Sequence, residues 1–219
     1  MRRACSWLTS AVLGLGLGLA AAAPARAGDG AFNWSGQIDA DARNLSSDDP
    51  DQRVAAVSAM KDYDVSLTKA ILLPLLHDDD EEVRRAAAKV LGGGGVMEAV
   101  PLLIPWLGDT DVRNKLAAAE ALGQLGSPQA VAALIRSLGD ADHTVRAKAV
   151  VALGAIGQRG DRSVVVPLIA RLADDKADVK KAAIDKLQAI GDQRAVGALV
   201  ALFTDSATDV QKAAVVAVG

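Results

Sequence analysis

Residues 109–126 read DTDVRNKLAAAEALGQLG and residues 140–157 read DADHTVRAKAVVALGAIG. Laid over each other, the two stretches place Asp on Asp, a basic residue (Lys115, Arg146) six positions later, and Gly on Gly twice. The rest of the chain keeps the same clock: Asp78, Asp109, Asp140, Asp174 and Asp205 stand at intervals of 31, 31, 34 and 31 residues. The basic column reads Arg53, Arg84, Lys115, Arg146, Lys180 and then Gln211. Two glycine columns read Gly92, Gly123, Gly154, Gly219 and Gly95, Gly126, Gly157, Gly191. Independent columns sharing one period mark an internal repeat.

Each unit contains two apolar patterns of helical period separated by turn residues. The first is typified by Val145 to Ile156, with Ala149, Ala152, Leu153 and Ile156 on one side and Asp142 as its expected N-cap. The second is typified by Pro128 to Leu138, opened by Ser127 as N-cap and Pro128 at the first helical position. Its stripe is Val131, Leu134, Ile135 and Leu138, matched by Val100, Leu103, Ile104, Leu107, by Val165, Leu168, Ile169, Leu172 and by Val196, Leu199, Val200, Phe203. One pair of short helices cannot bury its own apolar face, so stacked neighbours must supply the core. The expected fold is all-α, a right-handed α-α superhelix of solenoid type.

The unit D-x(5)-[RK]-x-x-[AL]-x-x-[AV]-L-G-x-x-G, followed by A-V-x-x-L-[IV]-x-x-L-x-D, resembles a HEAT repeat of the short bacterial kind associated with phycobilisome lyases. Five full units are expected at about 48–76, 79–107, 110–138, 141–172 and 175–203, with a sixth half-unit from 206. Residues 28–47 form an expected N-terminal cap segment before the array of residues 48–219. The resemblance is specific for fold and says little of function, because the same units serve as scaffolds, lyase subunits and hydroxylases.

In the families it resembles, the loop Asp and the helix Arg or Lys bond between successive units. Asp78, Arg84, Asp109, Lys115, Asp140, Arg146, Asp174 and Lys180 are accordingly expected to form a structural ladder. A second reading makes the acids, densest at Asp78 to Glu82, a cation-binding ridge, although no Gly-turned loop of EF-hand type accompanies them. Acids before a helix N-terminus are favoured in any case as caps and by the helix dipole.

At the N-terminus Arg2 and Arg3 precede an uncharged apolar run from Trp7 to Ala23, followed by the small-x-small sequence Ala25-Arg26-Ala27. This is the pattern of a secretory signal peptide, residues 1–27, cut after Ala27. The run is interrupted by Gly14, Gly16 and Gly18, which disfavours the alternative of a permanent membrane anchor. Cleavage would leave 21 basic and 27 acidic residues, a net charge of −6, and no Cys. The expected location is outside the cytoplasm, periplasmic or secreted. Stability there must come from packing rather than disulfides.

Composition narrows the chemistry. Ala contributes 44 of the 219 residues and aromatic residues only 3%, which favours closely packed helices over a β fold. The acidic balance lacks the basic excess that nucleic acid requires. Catalytic groupings are nearly absent. His77 and His143, the two histidines, stand in different loops and neither precedes Glu, whereas the related iron enzyme deoxyhypusine hydroxylase uses His-Glu pairs. No cofactor, metal site or enzymatic activity is expected. Leu91-Gly92-Gly93-Gly94-Gly95-Val96 lacks the following Lys-Ser or Lys-Thr of a phosphate loop, and Gly94 replaces the apolar residue of the column Leu125, Ile156, Ile190. Arg159-Gly160-Asp161 spells the tripeptide that integrins bind, but lies in the three-residue insertion that lengthens one interval.

The remaining signal is an apolar surface. On the second helices, Ile71 and Leu75 of the first unit and Leu102, Pro105 and Trp106 of the second face away from the stripe. Second helices line the concave side of HEAT arrays, so these residues are expected to bind a protein or peptide partner. The alternative is that they pack between units or under the N-terminal segment. The chain is expected to act as a scaffold or adaptor; the other reading is an accessory subunit of a lyase-like or hydroxylase-like enzyme. Ala214, Val215 and Val218, with the outward side of Leu199 and Phe203, are expected to lack cover, so that the array continues beyond them, or a partner or self-association covers them.

Overall fold

The computed structural model describes residues 42–219. The expected signal peptide and all but the last residues of the expected cap segment lie outside the described residues. The chain divides into two compact units, one ending at Val90 and the other running from Leu91 to Gly219.

In the first unit, helix α1 (Pro50–Ala59) opens on Asp49, whose carboxylate accepts from the Asp51 amide, with Pro50 at the first helical position where its missing N–H costs nothing. Helix α2 (Val65–Leu72) passes into a 3-10 turn over Leu73–His77. Pro74 enforces that change, because its ring excludes continued α-helical hydrogen bonding. Helix α3 (Glu81–Gly93) follows, its last turn belonging to the second unit. Val57, Met60, Leu72, Leu75 and Leu76 are all within 1% of full burial and form the core of this unit.

The second unit repeats one pattern. Helix α4 (Val100–Leu103) and the 3-10 turn Ile104–Gly108 lead to α5 (Val112–Leu125) and α6 (Val131–Ser137). Then come α7 (His143–Gln158) with α8 (Val165–Ala170), α9 (Ala177–Ile190) with α10 (Val196–Ala201), and α11 (Thr208–Val218). The long first helices stack in order, α5 on α7, α7 on α9 and α9 on α11, while α6 lies beside the Ile104–Gly108 turn. Among the described residues no strand occurs. The stacking within the second unit is the all-α, repeat-built arrangement that the sequence implied.

The stripes hold the layers together. Leu103, Leu134 and Leu168 have no exposed surface, each contributing roughly 1.5–3 kcal/mol of burial. Asp142 caps α7 through the Thr144 amide, and Ser127 caps its turn through Gln129, as their positions predicted. Close approach of first helices explains the first two glycines of one column: a Cβ on Gly123 would lie 2.8 Å from Ala152 Cα, and one on Gly92 2.8 Å from Ala121 Cα. The other column ends helices. Gly126 and Gly191 adopt φ of 66° and 67°, the left-handed conformation that releases the chain from the last turn.

Two expectations need correction. Second helices are shorter than their apolar pattern, because their first residues form separate 3-10 turns, as at Pro128–Ala130. Gly157 does not end its helix. The three-residue insertion lets α7 run on to Gln158, and Gly160, with φ of 109°, takes over the turn. Within that insertion Arg159 Nη2 donates to the Gln124 carbonyl (2.7 Å), and Asp161 accepts from the Ser163 amide (2.9 Å). Arg159 and Asp161 are thereby tied into the fold.

Candidate functional site

In four places the Asp and basic columns meet between successive repeats rather than within one, whereas Arg84 bonds the Asp78 and Asp79 carbonyls and Asp109 accepts from Asn114. Arg53 Nη2 lies 2.9 Å from Asp78 Oδ1, Lys115 Nζ 2.7 Å from Asp140 Oδ2, Arg146 Nη2 2.8 Å from Asp174 Oδ1 and Lys180 Nζ 2.6 Å from Asp205 Oδ2. Each Asp also accepts the amide two residues ahead, such as Asp80 to Asp78 (2.9 Å) and Asp111 to Asp109 (2.8 Å). The helix side chains secure their own loops: Arg84 Nη1 donates to the Asp78 carbonyl (2.7 Å), Arg146 Nη1 to Asp140 (3.0 Å) and Gln211 Nε2 to Asp205 (2.6 Å). Gln211 therefore keeps the local bond of its column but carries no charge.

This wiring sets the electrostatics. Burial alone would push the Asp174 carboxyl up, but the Arg146 guanidinium and the Lys176 amide bring it down to about 2. Asp140 is likewise raised by burial and lowered below its ordinary value by Lys115. The Lys180 ammonium lowers Asp205. These carboxylates are occupied as ladder acceptors. Among the described residues no group of three or more His, Cys, Asp or Glu side chains is gathered as for a metal ion.

His77 is exposed, and His143 Nδ1 lies 2.8 Å from Asp178 Oδ2 on the next first helix. Asp178, Lys181, Asp185 and Asp209 line a surface depression of about 590 Å³ between α9 and α11. Its polar lining is three carboxylates with Lys181 and Thr208.

The apolar surface differs in detail from the sequence expectation. Ile71 is 6% exposed and Leu75 1%, so both are core residues of the first unit and do not present a binding surface. Leu102 and Trp106 are half-buried, and Pro105 is exposed. The indole N–H of Trp106 makes no hydrogen bond with any described residue. On α6 the corresponding Ala133 and Ser137 are buried at 5% and 6%. The fully exposed face therefore lies one residue earlier along each helix.

That face consists of Pro101 and Pro105, Ala132 and Arg136, Val166 and Ala170, Gly197 and Ala201. Each pair is spaced i, i+4; the last three pairs each share one side of a single helix, while Pro101 lies on α4 and Pro105 on the 3-10 turn that follows it. One charge, that of Arg136, occurs among the eight positions. The signal was present in the sequence as two columns carrying a single charge, but only packing shows which side of a short helix its neighbours leave open. Val196, Val200 and Phe203 are also exposed, at 45%, 44% and 38%, whereas Val165 and Leu172 in the preceding unit are covered. Val215, Val216 and Val218 share this exposure, but Ala214 and Leu199 are buried, contrary to expectation.

HEAT repeats match the sequence at residues 42–111, 68–154 and 140–219, spanning all the ladder units. The chain belongs to the HEAT-repeat family. No curated protein matches this HEAT-repeat chain by sequence. Among solved structures, the complex of CpcE and CpcF of phycocyanin lyase from Nostoc sp. PCC7120 is similar at 25% identity and a TM-score of 0.61, over 88% of this chain and 77% of that one. An engineered protein is similar at 24% identity and a TM-score of 0.60, over 83% and 95% of the respective chains. A designed armadillo repeat protein in complex with the peptide (KR)4 is similar at 22% identity and a TM-score of 0.57, over 81% and 97%. No described helix of this HEAT-repeat protein is long and apolar enough to cross a membrane.

Proposed function

We propose that this HEAT-repeat protein is a non-catalytic scaffold or adaptor that binds another protein through the exposed face of its second helices, outside the cytoplasm. The observation that carries the reading is the near absence of charge at eight solvent-exposed positions along that face. An exposed surface with so little charge is characteristic of interaction sites. Trp106 adds a partly accessible aromatic residue whose N–H bonds no described residue, the combination favoured at binding hot spots. The test is photo-crosslinking from position 105 in the native host, repeated with Trp106→Ala and Val166→Glu. Loss of the same adduct in both variants with unchanged melting is expected. Adducts that persist in both would refute the assigned face. Export is supported by the Arg2-Arg3 and Trp7 to Ala23 pattern, and N-terminal sequencing of exported protein is expected to begin at Gly28. An intact Met1 on exported material would refute cleavage.

A second reading is an accessory enzyme subunit with the catalytic groups on a partner. Similarity to the CpcE and CpcF complex, itself an assembly of two named components, favours it. A new absorption band on mixing the protein with bilin would support the lyase form of this reading, and stoichiometric iron in the purified protein the hydroxylase form.

A further inference from the structure

We propose that the second-helix face of the Leu91–Gly219 unit selects a peptide segment carrying a carboxylate among apolar side chains, and that Arg136 holds the carboxylate. This rests on the reading of that face as protein-binding and adds the chemistry of the partner.

The second unit contains seven arginines. Six are already engaged: Arg113 with Asp111, Arg146 with Asp174, Arg159 with the Gln124 carbonyl, Arg162 with the Ile190 carbonyl, Arg171 with the Leu138 carbonyl and Arg194 with Asp192. Arg136 is the exception. Its guanidinium makes no hydrogen bond or ion pair with any described residue, and its side chain is exposed.

Its place in the fold gives that freedom meaning. Arg136 occupies the same position on α6 that Pro105 holds in the unit before and Ala170 in the unit after, and both are exposed. No acid occupies any of the eight positions of the face. A wholly apolar partner would cover this guanidinium without replacing its water, which is costly, and a cationic partner would be repelled. A carboxylate instead provides two parallel hydrogen bonds that match the planar fork of the guanidinium. Pro105 and Val166, the latter 60% exposed, then supply apolar contacts on either side in sequence order. One arginine on an otherwise uncharged face matches a single carboxylate better than a phosphate, which is usually bound by clustered arginines.

The test is an array of short fluorescent peptides in which a central Asp, Asn or Lys is flanked by combinations of Leu, Val and Pro, titrated with the purified chain. Asp peptides are expected to bind roughly fivefold more tightly than their Asn counterparts, with Lys peptides weakest. Arg136→Gln should abolish that preference without shifting the thermal midpoint, and Val166→Glu should turn it toward Lys. Equal binding of Asp and Asn peptides, or a preference that survives Arg136→Gln, overturns this inference and leaves protein binding by the face intact. Binding by none of the peptides overturns both.

Discussion

Arg146 grips Asp174, 28 residues further along the chain, through two parallel bonds: Nε to Oδ2 at 2.9 Å and Nη2 to Oδ1 at 2.8 Å. The remaining amine, Nη1, donates to the Asp140 and Ala141 carbonyls at 3.0 and 3.2 Å, so one guanidinium joins its own loop to the next unit. Lys115 and Lys180 achieve the inter-unit link with a single ammonium bond each.

Removing Arg146 from this buried pair should be severe, since Asp174 would lose both short guanidinium bonds and keep only Arg171, at 3.5 Å, as a cationic partner. Arg146→Met is expected to cost about 2–4 kcal/mol, and Arg146→Lys roughly 1 kcal/mol, because Lys preserves one bond of the kind seen at Lys115. Arg113→Ala, whose side chain is 63% exposed, should change stability by less than about 0.5 kcal/mol. Urea unfolding of the three variants checks the order. Similar losses for Arg146→Met and Arg113→Ala would contradict the ladder's role.

Acid should loosen the array through the same contacts. The carboxyls of Asp140, Asp174 and Asp205 all lie below their ordinary range in the folded protein. Such groups stabilise the fold at pH values above the unfolded carboxyl pKa of about 3.9, and the contribution disappears as pH falls through the folded values. For Asp174 the window extends down to about 2. Thermal midpoints recorded across this range are expected to fall, with a shallower decline in Asp174→Asn. A wild-type midpoint that holds constant would sink the argument.

Glycines in the two settings should respond in opposite directions. Gly123→Ala would press a methyl group against the Ala152 backbone and is expected to destabilise by about 1–3 kcal/mol. Gly197→Ala, in α10 with nothing within 4 Å of the new Cβ, should stabilise by about 0.5–1 kcal/mol through the restricted unfolded chain. Differential scanning calorimetry distinguishes the two, and equal shifts would show that first-helix approach is not what selects Gly123.

Gly94 stands where other units bury Leu125, Ile156 and Ile190, yet it is exposed and outside the left-handed region. Gly94→Leu is expected to raise the thermal midpoint by an amount corresponding to about 1 kcal/mol. A lowered midpoint would show that this turn has no room for the side chain its column prefers.

The repeat period, the two helices of each repeat, the capping residues and the ladder were all legible in the sequence. They depend on local chemistry recurring at a fixed interval: Asp142 caps because the Thr144 amide lies two residues ahead, within reach of its carboxylate, and Leu134 is buried because its stripe recurs in every unit. Two matters were decided only by tertiary packing. The survival of α7 past Gly157 comes from the inserted residues, which moved the turn to Gly160. The open face of the second helices, centred on Pro101 and Pro105 rather than Leu102 and Trp106, comes from coverage by neighbours on two sides of each short helix. Periodicity identifies the side of a helix that must be buried; which of the remaining sides stays in solvent depends on where the adjacent helices pass, and that is a property of the packed array.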